Sequence, residues 1–208
     1  DNKSLDDDHF PAEDFIGYLS PNAKGNYSMS LIDTLNIGIG RFPVSTVEHA
    51  ENLVNKSERY LLKKDILTKD KITDWRNYSV LTADDADPGD HYFIADVENI
   101  FEQTKLQQPQ INAVKIYSDA YKQYSSSSGS TYPDASKAIN QQMKKGCLIF
   151  NYVGHGSEDH LSSERLITIT DIMGWTNFNS LPLMITSTCS FARFDMVDKP
   201  SAAEYSLL

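Results

Sequence analysis

The sequence predicts an α/β fold, a mostly parallel sheet flanked by helices on both faces. Strand-like runs alternate with helix-like stretches from Leu35 onward. The central strand candidates are apolar on both sides, as strands covered on both faces must be. No internal repeat or interdomain linker interrupts the pattern, so residues 1–208 are read as one domain.

Residues 1–34 are polar and broken by Pro11, Gly17, Pro21 and Gly25, which predicts an irregular N-terminal segment with one short strand near Phe15–Leu19. Residues 35–208 make the α/β core. LNIGIG (35–40) reads as its first strand. Ser45 and Glu48 form a capping box that opens a helix running to about Lys64, with Val47, Ala50, Val54 and Leu61 at helical spacing. NYSVLTA (77–83) is a second strand, ending in Asp84 and Asp85. HYFIADVENIFEQ (91–103) has helical periodicity, and INAVKIY (111–117) is a third strand. SSSSGS (125–130) reads as a surface loop. Asp134 caps a helix through Lys145, and CLIFNYV (147–153) is a fourth strand. Thr170 or Asp171 opens a short helix to about Asn177, PLMITST (182–188) is a fifth strand, and the tail after Pro200 is helical.

Composition excludes several functions. The net charge of −10 argues against a nucleic-acid-binding surface, which needs clustered Lys and Arg. No run reaches the ~18 apolar residues of a membrane helix. The chain opens in DNKSLDDD and stops in SAAEYSLL, as expected of a piece of a longer protein. Two cysteines make no disulfide framework. The acidic patches at Asp6–Asp8 and Asp84–Asp90 are read either as solubilising or as cation-binding.

In open α/β sheets, ligands sit at the carboxyl ends of the strands. The second strand is followed by Asp84, the fourth by Gly154-His155-Gly156 and the fifth by Cys189. A carboxylate, an imidazole and a thiol are thus delivered to one sheet edge. If the fourth and fifth strands are parallel neighbours, His155 serves as general base to a Cys189 nucleophile. The N–H groups of Gly156 and Cys189 are then candidate oxyanion donors. Cys147 opens a strand on the opposite edge and reads as structural. The 83–91 stretch has three readings: a solvated acidic loop, a site where Asp84 orients His155, or an irregular calcium site without EF-hand spacing. Glu158, Asp159 and His160 lack zinc-ligand spacing. Asp195 and Asp198 read as loop residues, and Trp75 and Trp175 as packing.

NYVGHGSEDH (151–160) and LPLMITSTCSF (181–191) closely resemble the catalytic His and Cys segments of the gingipain family of cysteine peptidases. IGRFPV (39–44) and SAAE (201–204) resemble two further blocks of that family. The GHGSED and TCSF-x-RFD wording is nearer to the surface sortases of the type IX secretion system than to the secreted gingipains. The resemblance implies a caspase-like fold, a His155–Cys189 dyad, and Gly156 and Cys189 as oxyanion donors, with Asp84 matched by position only as the acid assisting His155. It implies chemistry without a required cofactor and allows calcium as a structural ion, with no ligands matched. The acid that selects Arg in some gingipains has no clear counterpart. The implied activity is cleavage of C-terminal secretion signals on type IX cargo, with water or a surface glycolipid amine resolving the thioester. The implied partners are that peptide substrate and other secretion components, at the bacterial cell surface. Secreted gingipain-like hydrolysis, or a non-catalytic caspase-like binding module, are the alternatives.

Overall fold

Four runs rich in apolar and β-branched residues form the central sheet of the computed structural model, which describes residues 14–19, 35–62, 74–87, 92–196 and 198–208. The helices and strands in chain order are α1 (Asp14–Gly17), α2 (Val47–Leu61), β1 (Tyr78–Ala83), α3 (Tyr92–Gln107), β2 (Asn112–Tyr117), β3 (Tyr124–Ser126), β4 (Gly129–Thr131), α4 (Pro133–Lys145), β5 (Ile149–Val153), β6 (His160–Leu161), β7 (Ile167–Thr168), α5 (Ile169–Met173), β8 (Leu183–Ser187) and α6 (Ala202–Leu207). The sheet order is β2-β1-β5-β8, and every pairing in it is parallel.

Alternation along the strands separates two apolar layers. Leu81 and Ala83 of β1 pack on Phe93 and Val97 of α3. Val80 of β1 and Phe150 and Tyr152 of β5 belong to the larger cluster with Ala135, Ile139 and Met143 of α4 and Ile172 of α5. Helices therefore cover both faces, as parallel strands require. The chain steps from β1 to β2 on one side and then returns past β1 to β5. The order reverses between β1 and β5, the position at which open α/β sheets bind ligands beyond the carboxyl ends of their strands.

Several local expectations are corrected. LNIGIG is not a strand: residues 35–46 adopt no ladder, and Ile37 is exposed because no neighbouring strand pairs with it. The stretch near Phe15 contains the single helical turn α1 instead of a strand. Thr46, one residue past Ser45, caps α2 by accepting from the His49 N–H at 3.1 Å. Pro133, favoured at the first helical position, starts α4 one residue before Asp134. Thr168 caps α5, with Asp171 as its capping-box partner, and α5 stops at Met173. SSSSGS folds into part of the β3–β4 hairpin. Asp6–Asp8, most of 1–34, Lys64, and Pro88 through Asp90 of the second acidic patch lie outside the described residues.

Candidate active site

Val153 and Ser187, the last residues of β5 and β8, are register partners. The ladder continues one step further, because the Gly154 N–H donates to the Ser187 carbonyl at 3.2 Å. His155 and Cys189 each lie two residues past this last register pair. Adjacent strands lie about 4.8 Å apart, so imidazole and thiol leave one rim from neighbouring positions.

Glycine makes this approach feasible on the histidine side. A Cβ on Gly156 would fall on Thr188 Oγ1 and lie 3.3 Å from the Cys189 carbonyl oxygen. Gly156 faces Leu161 in an isolated antiparallel bridge, flanked by the Ser157 N–H donating to His160 at 2.9 Å and the Ser162 N–H donating to His155 at 2.8 Å. Gly156 thus holds the non-hydrogen-bonded position, and its own N–H points away from that hairpin.

Cys189 is a free, exposed thiol. A tight turn follows it: the Phe191 N–H donates to the Cys189 carbonyl at 2.7 Å, and Ser190 holds φ at 55°, a left-handed value uncommon outside glycine. The IGRFPV block reaches the same loop, with the Arg41 guanidinium 4.4 Å from the centre of the Phe194 ring.

Hydrogen bonds hold the His155 backbone. Asp84 Oδ2 accepts the His155 N–H at 2.9 Å, and Tyr152 donates its hydroxyl to the His155 carbonyl at 2.6 Å. The imidazole stands edge-on to Phe93, the ring centres 5.3 Å apart. Asp84 therefore reaches His155 at the main-chain amide. Asp84 is only 1% exposed, and burial raises its pKa above the usual carboxylate range. The Asp85 charge adds to that rise, while hydrogen bonds from Ser162, His155 and Tyr152 oppose it. Asp85 accepts from the buried Tyr132 hydroxyl at 3.0 Å.

One carboxylate oxygen from each of Asp84, Asp85 and Glu164 lies within 4.8 Å of the other two. Burial likewise raises the Glu164 pKa. Oxygen donors of this kind suit a hard cation such as calcium, and several of them already accept protein hydrogen bonds.

The remaining candidates fall elsewhere. Asp159 meets His160 Nδ1 at 2.5 Å and the Ser157 hydroxyl at 2.8 Å, a cluster closed on itself in the β6 loop. Asp195 lies 3.7 Å from Arg193. Trp75 is buried, and Trp175 packs on the core and donates to Asn140 at 2.7 Å. Cys147 is fully buried, which pushes its thiol pKa up to about 12. Tyr152, Ser162 and Phe93 also contact His155, and Glu164 joins the carboxylates of Asp84 and Asp85. Of these, Tyr152 alone carried a signal in the sequence, lying on the predicted fourth strand three positions before His155.

The model of peptidase family C25 matches residues 4–208. The chain belongs to peptidase family C25. Among solved structures, this C25 chain is similar to the crystal structure of the Arg-specific cysteine proteinase gingipain R, with 20% identity and a TM-score of 0.62 over 83% of this chain and 36% of that one. A complex of the pro- and mature domains of RgpB from Porphyromonas gingivalis matches with 20% identity and a TM-score of 0.61, over 83% of this chain and 37% of that one. No curated protein matches. The likeness shows the caspase-like fold. This C25 chain spans about a third of the length of the solved structures it matches.

Proposed function

We propose that this protein is a cysteine peptidase with Cys189 as nucleophile and His155 as general base. The observation that supports the reading is that His155 and Cys189 each follow, by two residues, the last register pair of the parallel strands β5 and β8. Family membership supports it. The Cys189 sulfur attacks the scissile carbonyl carbon as its proton passes to His155. The amides of Gly156 and Cys189 stabilise the oxyanion. The C–N bond then breaks, and the leaving amine takes the proton from His155. Water or an acceptor amine attacks the resulting thioester and frees Cys189.

The finer reading is a surface sortase of type IX secretion, cleaving C-terminal signals on cargo and passing the thioester to a glycolipid amine. The sequence wording around His155 and Cys189 supports it. Localisation at the cell surface and association with other secretion components belong to the same proposal. Among the described residues, no helix is long and apolar enough to cross a membrane. Calcium as a structural ion is compatible with the oxygens of Asp84, Asp85 and Glu164, and no chemical step passes through it.

A peptide panel assayed with and without amine acceptors, together with a thiol-directed peptide electrophile, tests the reading. Adducts mapped to Cys189 and amine-dependent product support the sortase. Adducts with hydrolysis alone support a simple endopeptidase. No Cys189 adduct in the full-length protein, with or without calcium, leaves the binding-module alternative.

A further inference from the structure

The Tyr152 hydroxyl closes a ring of hydrogen bonds around the His155 backbone. It lies 2.6 Å from the His155 carbonyl oxygen and 3.1 Å from Asp84 Oδ2, and that same carboxylate oxygen accepts the His155 N–H at 2.9 Å. A phenol has one proton to give. It faces both acceptors with that proton, and the shorter contact is to the His155 carbonyl, whose other donor is the Ser162 N–H at 2.8 Å. Burial and the adjacent Asp84 charge push the Tyr152 pKa far above its ordinary value, so the donor persists throughout any working pH range.

Tyr152 ties His155 to the sheet interior. Its side chain is fully buried in the larger core cluster, so the hydroxyl stands on a rigid ring. The residue before His155 is a glycine, which leaves the backbone there free to rotate unless something outside restrains it.

We propose that Tyr152 is a positioning residue for the peptidase reaction, fixing through the His155 carbonyl the peptide plane from which the imidazole reaches Cys189. The proposal rests on the peptidase reading above. A displacement near 1 Å at a reacting group lowers rates about 100-fold, so a small rotation of this peptide has a large kinetic effect.

Tyr152→Phe in the full-length protein removes the hydroxyl and keeps the ring. The measurements are kcat and KM on a peptide substrate, the pH dependence of Cys189 alkylation by iodoacetamide, and the thermal midpoint. The expected result is a fall in kcat of roughly 10- to 100-fold with KM nearly unchanged. Cys189 should also become reactive only at higher pH, as in His155→Ala, because a displaced imidazole no longer favours the thiolate. p-Aminophenylalanine at position 152 restores a donor and should recover most of the rate. An unchanged kcat and alkylation profile would overturn the proposal. So would a loss of rate that follows the thermal midpoint and is not rescued by the amine. Cys189→Ala separates the two levels: if that variant turns over substrate normally, the peptidase reading fails whatever Tyr152 does.

Discussion

The Gly154 N–H donates to the Ser187 carbonyl one residue before His155 and two before Cys189. This rung extends the β5–β8 pairing at its carboxyl end, and it ties both turns to one rigid edge. Mobile loops would let the imidazole and thiol drift apart, whereas a parallel ladder fixes their origins.

The first prediction concerns the dyad. Removing the imidazole in His155→Ala should lower kcat by about 10²- to 10⁴-fold, the usual contribution of a positioned acid–base group. Cys189→Ala should abolish turnover, and the double variant should be no worse than Cys189→Ala, because the two groups act as a unit. Circular dichroism should be unchanged in all three. Cumulative losses in the double variant would mean that the residues act independently.

Gly156→Ala and Gly154→Ala should separate rate from stability. At Gly156 the added methyl meets Thr188 beside Cys189, so turnover should drop at least tenfold while unfolding free energy falls by about 1–3 kcal/mol. At Gly154 it meets Asp84 Cβ and lies 2.6 Å from the Tyr152 hydroxyl, deep beneath the site. There the stability loss should be the larger of the two. Urea unfolding beside kcat checks both, and the reverse ranking would contradict the packing described.

The four sheet strands were legible because each is a short apolar run ending in polar residues that the ladder need not pair. The same signal misled at LNIGIG, where apolar residues have no strand beside them. The α2 cap shifted by one residue because neighbouring Ser and Thr offer equivalent oxygens and only the backbone turn selects Thr46. The β6–β7 hairpin is two residues wide and left no periodicity to read. Around His155, strand ends placed Asp84 nearby, but its grip on the amide depends on a turn that spacing does not encode. Phe93 and Ser162 come from an opposing helix and a hairpin, so only folding brings them to the histidine.

The two thiols should behave oppositely. Cys189 is exposed, while Cys147 is buried with its pKa pushed up to about 12. Iodoacetamide at pH 8 should label one cysteine, mapped as Cys189, and the second only in denaturant. Cys147→Ser should cost about 1–3 kcal/mol, from a hydroxyl placed in a packed core, and leave kcat unchanged. A dead Cys147 variant beside an active Cys189 variant would reverse the assignment.

Asp84 predicts a pH dependence of stability with a defined sign. Burial is the main cause of its raised pKa, and the Asp85 charge adds to it. The unfolded chain loses this proton near pH 3.9, while the folded protein keeps it to higher pH. Between those two values the native state binds more protons than the unfolded state, so stability falls as pH rises. Above the folded pKa the full penalty of a buried charge is present. Asn at position 84 keeps an acceptor for the His155 N–H and never ionises. Asp84→Asn should therefore gain stability relative to the parent between pH 4 and pH 7.5, measured by urea unfolding with a chelator present. Glu164, raised by the same burial and by both aspartates, should add to the parent's decline over that range. A difference between parent and Asp84→Asn that stays flat or grows less favourable with rising pH would mean that the Asp84 carboxyl is already ionised at no cost in the folded protein.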